Sequence, residues 1–277
     1  YEQIGITATV LLVVCRIAQG FALGGELPCA LTFVYEHAKK ELRAMALGIL
    51  FCGVTFGVFL GSFVGALITH SLSEEQLYSW GWRIAFMSGG VLGGVGFYLR
   101  KKLTESPLFK KFKEVETKEA PFKRVLKNYK FNLLKTTSAS LVMAVSIAVN
   151  YLYLPTYLQT FLGFKASQVL ILNCVFVVIV SFLILAFAKL CDRWGEKYFL
   201  MISLVGFLLF SYPLFSELKP GIFTPIIIFY SVMTILTAAI TSCVTVYLAK
   251  AFPTKVRYSG VSLSYNLAFG LDRKSVV

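Results

Sequence analysis

Seven apolar stretches, each long enough to cross a bilayer, follow one another along this 277-residue chain. They fall at roughly 5–35, 44–69, 83–99, 131–160, 166–190, 198–217 and 222–251. An eighth begins near 257 and is interrupted at 271 by Asp272-Arg273-Lys274. A spanning helix needs about 20 mainly apolar residues. An open sheet would leave unpaired backbone groups in hydrocarbon, and the runs lack the alternation of strands, so they read as helices. Hydrophobic residues make up 57% of the chain and charged ones 15%. Soluble domains average about 45–50% and about 25%, so this balance excludes a soluble enzyme, a disordered chain and a nucleic-acid module.

The net charge of +13 is explained by where the cations lie. Lys and Arg number three in 36–43, twelve in 100–135, three in 189–197 and three in 250–257. The alternate connections hold only Arg83, Lys165 and Lys219. This asymmetry repeats at every span and places the basic side in the cytoplasm. The charge is therefore topology and contact with anionic lipid, with no nucleic acid implied. Residues 1–99 form a three-span block and 100–130 a cytoplasmic loop. Residues 131–271 form a second block of four spans and one truncated. Within the loop, Leu108-Phe109-x-x-Phe112 fits a short amphipathic helix at the membrane surface. Both ends read as cut: Tyr1 offers no signal peptide, and 272–277 resemble adapter read-through and are set aside as an artefactual tail. A faint repeat pairs Val34-Tyr35 and its following cations with Val246-Tyr247 and its own, as duplicated transporter bundles do.

Charges inside a span cost about 2.5–3.5 kcal/mol on insertion scales, which makes function their default reading. The first span holds Arg16, Gln19 and Glu26. Arg16 and Glu26 stand about 15 Å apart along a helix, so each needs a partner elsewhere. Arg16 suits a carboxylate; Glu26 is a candidate proton carrier. Two polar stripes run along later spans: Ser146, Asn150, Tyr153 and Tyr157, and Thr234, Thr237, Thr241 and Thr245. They are expected to face a shared hydrated cavity. Glycines four apart (Gly20/Gly24; Gly53, Gly57, Gly61, Gly65) and the cluster Gly89–Gly96 are expected to let helices pack closely. The six cysteines form no CxxC pair and read as small hydrophobes, with no metal site and no cofactor. Only His37 and His70 are present, and no GxSxG or HExxH occurs, so no catalytic residues are assigned and the chain is not read as an enzyme.

Several motifs resemble one family. Arg16-x-x-Gln19-Gly20-x-x-x-Gly24-Gly25-Glu26 is similar to the fourth-helix signature of the metabolite:proton symporters, a branch of the major facilitator superfamily. Ser79-Trp80-Gly81-Trp82-Arg83-Ile84-Ala85-Phe86 resembles the start of its helix six, and Glu105-Ser106-Pro107-Leu108-Phe109 the segment after it. Asp192-Arg193-Trp194-Gly195 resembles the turn between helices eight and nine. Phe252-Pro253-Thr254-x-x-Arg257-Tyr258-Ser259-Gly260 resembles the turn into helix eleven, and Tyr265-Asn266 matches a polar pair there. Leu27-Pro28-Cys29, Glu196-Lys197 and Lys250 depart from the family pattern.

The resemblance implies an all-α membrane fold, a bundle of two six-helix halves of which helices four to eleven are present. It implies proton-coupled symport of a small osmolyte or organic acid, such as proline, a betaine or a carboxylate, by alternating access. The partners would be a small-molecule substrate, protons and the lipid bilayer, with the chain monomeric and multi-pass in the bacterial inner membrane. A non-transporting sensor and a sodium-coupled transporter of the same fold are the alternatives. Substrate and coupling candidates are Arg16, Gln19, Glu26, Asn150, Tyr153, Tyr157, Thr237, Thr241, Tyr265 and Asn266. Cytoplasmic gate candidates are Glu36, Arg43, Asp192, Arg193 and Arg257, grouped as Glu36/Arg43 and Asp192/Arg193.

Overall fold

The computed structural model describes residues 5–101 and 120–275. The motif at 105–109 and the surface helix expected at 108–112 lie outside the described residues. Helix α1 spans Ile6–His37 and α2 spans Arg43–Ser71, with a 3-10 turn at Lys40–Leu42 between them. A π-type turn at Leu77–Gly81 leads into α3, Trp82–Lys101. The short α4, Pro121–Asn128, precedes α5, Lys130–Thr160, which carries a π-type segment at Val149–Tyr153. Then follow α6 (Ala166–Trp194), α7 (Glu196–Ser216), α8 (Phe223–Lys250) and α9 (Arg257–Ser275). The described helix α9 continues through residue 275, past the charged break at 272.

Among the described residues, six helices are long and apolar enough to cross a membrane: α1, α2, α5, α6, α7 and α8. The sequence marks where these helices break. Gly195 joins α6 to α7 at φ +87°, a left-handed conformation that glycine adopts without steric cost. Pro121 opens α4, where a missing N–H costs nothing. Pro28 and Pro213 sit inside helices, where each deprives the carbonyl four residues earlier of its donor.

Helix α8 is the centre of the bundle, in contact with α2, α5, α6 and α7. The two blocks meet mainly along two seams, α2 against α6 and α1 against α9, and α8 also touches α1 and α2. One core crosses those seams, joining Leu31, Tyr35 and Leu47 to Met143, Ile184, Ile240 and Phe252. A second core, around Leu154, Phe176, Ile226 and Tyr230, closes the other end of α5, α6 and α8. Elsewhere large apolar side chains face outward, among them Phe21, Phe86, Met87 and Phe182. So much exposed apolar surface is compatible with hydrocarbon or further helices and not with water.

The glycines divide into two groups. A Cβ on Gly48 would sit 2.7 Å from the Cβ of Ala188, and one on Gly206 2.9 Å from Leu236. These glycines let α2 approach α6 and α7 approach α8. Gly53, Gly57 and Gly61 of α2, and Gly89, Gly90 and Gly93 of α3, have nothing within 4 Å of that position. Close packing expected at those positions is thus not made among the described residues. Of the cysteines, Cys191 and Cys243 are buried, with sulfurs 3.1 Å apart as free thiols, while Cys15 and Cys29 are exposed.

Candidate functional site

At one end of the bundle, polar groups from both blocks converge. The end of α1 brings Tyr35 and Glu36, the start of α2 brings Arg43, the end of α6 brings Asp192 and the start of α9 brings Arg257. Arg257 donates from Nη1 to Glu36 Oε1 at 2.6 Å, across 221 residues of chain. Both side chains are nearly enclosed, 11% and 5% exposed. The same guanidinium donates from Nε to the carbonyls of Ala249 (2.9 Å) and Phe252 (3.2 Å), the last turn of α8 and the residues after it. It thereby fastens the α8–α9 turn to α1. The ring of Tyr35 lies beneath two cations, with Arg43 Cζ 4.3 Å and Arg257 Cζ 5.0 Å from its centroid. Arg43 also donates to the Tyr35 hydroxyl at 3.3 Å.

Asp192 acts on the other seam. Its two carboxylate oxygens accept the backbone N–H groups of Ala44 and Met45, each at 2.8 Å. These are donors of the first turn of α2, which have no partner within the helix. A carboxylate there also lies at the positive end of the helix dipole. Asp192→Asn keeps the shape but loses the charge and one acceptor. It is expected to cost about 0.5–2 kcal/mol in unfolding free energy, read by detergent titration of the purified protein. Arg193 is exposed beside it. The bonds from Arg257 to Glu36 and from the start of α2 to Asp192 go beyond the sequence grouping of Glu36 with Arg43 and Asp192 with Arg193.

The departures Glu196 and Lys250 are each other's partners, Nζ to Oε1 at 2.9 Å. Both belong to the second block, so this pair ties α7 to α8 and does not cross a seam. Deeper along the α2–α6 seam, the hydroxyls of Thr55 and Ser181 meet at 2.6 Å.

Above the charged end, α1 and α9 border a cleft of about 550 Å³ lined by Ile17, Gly20, Phe21, Gly24, Gly25, Tyr258, Ser262 and Asn266. That volume suits a small solute. Asn266, expected from sequence, spans the seam: its amide donates to the carbonyl of Gly24 at 2.8 Å. Tyr265, beside it, stacks on Phe269 at 4.2 Å. Arg16 and Gln19 bond each other at 3.1 Å on the exposed face of α1, one turn from the cleft-lining Gly20. Glu26 is on the exposed part of α1 beyond Gly25. Tyr258, Ser262 and the paired glycines were not singled out as cleft residues by sequence, although the fourth-helix motif contains Gly20, Gly24 and Gly25.

The two polar stripes meet each other directly. Asn150 donates to Thr237 Oγ1 at 2.7 Å, and Tyr151 donates to Thr234 Oγ1 at 3.2 Å. Thr234, Thr237, Thr241 and Thr245 are buried in the seams of α8. The side-chain amide oxygen Oδ1 of Asn150 is buried without a hydrogen-bond partner among the described residues. Tyr157 packs between Tyr153, Phe161 and Phe215.

The family model of the Major Facilitator Superfamily matches residues 4–271. The chain belongs to that superfamily. It is 32% identical over 274 residues to a Staphylococcus aureus (strain MSSA476) protein named "Putative proline/betaine transporter", covering 98% of this chain and 59% of that one. It is 28% identical over 280 residues to the "Proline/betaine transporter" of Escherichia coli (strain K12), covering 97% and 56%. This superfamily member thus spans a little over half the length of those relatives. The solved proton:xylose symporter XylE, bound to 6-bromo-6-deoxy-D-glucose, shares its fold with a TM-score of 0.66 at 19% identity, over 89% of this chain and 58% of that one. With such relatives and its apolar helices, the chain is a multi-pass integral protein of the bacterial plasma membrane.

Proposed function

We propose that this chain is the larger part of a secondary active transporter that carries a small osmolyte or organic acid together with protons by alternating access. The observation that carries this reading is the α1–α9 cleft, with the Glu36–Arg257 pair joining the same two helices near one end. Breaking and remaking that pair would let the seam open and close around the solute. The names of the curated relatives favour proline or a betaine as the solute, and a monomer is sufficient because the cleft lies within one chain. Residues 1–99 would end the first helical half, 100–130 would lie in the cytoplasm and 131–271 would belong to the second half. The basic connections put the Glu36–Arg257 end on the cytoplasmic side.

Arg16 and Gln19 would take the substrate carboxylate and Glu26 the proton. Asn150, Tyr153, Tyr157, Thr237, Thr241 and Tyr265 would tune the second half's share of the path. The test is uptake by the full reading frame in proteoliposomes with an imposed proton gradient. Labelled proline or betaine should accumulate, an uncoupler should collapse the accumulation, and replacing sodium should leave it unchanged. Glu26→Gln should still equilibrate solute but lose its concentration against a gradient. Accumulation undiminished by the uncoupler would refute proton coupling, and concentrative uptake by Glu26→Gln would remove that residue from it.

A further inference from the structure

Pro28 has no N–H, so the carbonyl of Gly24, four residues earlier in α1, lacks its α-helical donor. A main-chain acceptor without its helical donor takes another partner where one is in reach. Here the partner comes from the opposite block: the side-chain amide of Asn266 on α9, at 2.8 Å. The same amide also donates within α9, to the carbonyl and hydroxyl of Ser262 at 2.9 and 3.2 Å. Gly24 makes the approach possible, because a Cβ there would stand 3.2 Å from Asn266 Oδ1. Gly24 and Asn266 both line the 550 Å³ cleft. The acceptor therefore lies on the cleft wall, and its present donor sits on the helix that must leave if α1 and α9 part.

We propose that the Gly24 carbonyl is a substrate-binding acceptor for the N–H of a protonated primary or secondary amine, covered by Asn266 in this conformation. The assignment rests on the transport reading above. Backbone carbonyls freed by a helix irregularity bind cations at the midplane of transporters in this way. The consequence is selectivity within one solute class. An imino acid zwitterion presents N–H groups to this oxygen, whereas its fully N-methylated betaine has none and gains nothing from it.

The test compares proline with its N,N-dimethyl betaine in proteoliposomes of the full-length protein. Pro28→Ala restores a peptide N–H to the Gly24 carbonyl and suits a helix interior better than proline. Its half-saturating proline concentration should rise about tenfold or more relative to that of the betaine, as loss of a hydrogen bond to a charged group requires. Asn266→Leu, which removes the competing donor and leaves the carbonyl, should shift the ratio toward proline. An unchanged ratio in both variants, or equal weakening of both solutes, overturns this assignment alone. Uptake of neither solute by the unaltered protein overturns the transport reading and this assignment with it.

Discussion

Arg257→Ala is expected to lower the unfolding free energy by about 3–5 kcal/mol, the cost of breaking an enclosed ion pair by removing one partner. The Glu36 carboxylate, 5% exposed, loses the 2.6 Å bond from Arg257. Three further effects act together in the same substitution. The carbonyls of Ala249 and Phe252 lose their donor, and the Tyr35 ring loses one of its two cations. Because the pair joins α1 to α9, the loss falls on the seam and not on one helix. Adding Glu36→Gln neutralises the carboxylate that has lost this cation, so the double variant should recover a large share of the stability lost, read by detergent unfolding of all four proteins. A single-variant loss under about 1 kcal/mol, typical of a solvated pair, would mean that water already reaches this end. Cysteine placed at Ser262 in the Arg257→Ala protein should also react faster with a reagent added from the basic side.

How much of this was legible in the sequence depends on the range of the interaction. Helices and sidedness are local averages over about 20 residues, and the apolar runs mark the helices closely. The unusual residues were legible one by one: Glu36, Arg43, Asp192, Arg257 and Asn266 all stand where the two blocks meet. The long-range partners were not. Arg257 reaches Glu36 from 221 residues away because α9 folds back on α1, a contact that no spacing in the sequence shows. Asp192 finds main-chain N–H groups, which carry no sequence signal at all. The stripes of Thr and Asn had the right periodicity, yet periodicity cannot distinguish a helix face turned to water from one turned to another helix. Asn150 and Thr237 face each other. The departures Glu196 and Lys250 make sense only as a pair, and the pair is visible only once α7 and α8 are side by side. Pro28 stood out only as a departure from the family pattern; that it deprives the Gly24 carbonyl of a helical donor where Asn266 can reach it required the fold.

The α2–α6 seam sets the second large expectation, that Gly48→Leu prevents this conformation from closing. A single Cβ at Gly48 already falls 2.7 Å from the Cβ of Ala188 and 3.6 Å from the carbonyl of Ile184. Neither neighbour is the end of a flexible side chain, so the helices themselves must separate. Separation strains the Thr55–Ser181 hydroxyl contact at 2.6 Å and the two bonds from Asp192 to the start of α2 at 2.8 Å. Overpacking of one methyl typically costs about 1–3 kcal/mol, the expected loss for Gly48→Ala, and leucine adds three further carbons to the same gap. The geometry also names its own rescue. Ala188→Gly removes the methyl that the new one meets, so Gly48→Ala with Ala188→Gly should return most of the stability lost by Gly48→Ala alone. A disulfide engineered between Thr55→Cys and Ser181→Cys reads the seam directly: it should form readily in the otherwise unaltered protein and in the rescued one, and poorly with Gly48→Leu. Full cross-linking in the leucine variant would show that α2 and α6 do not pack through Gly48, and the account of how the two blocks close against each other would have to move to the α1–α9 seam.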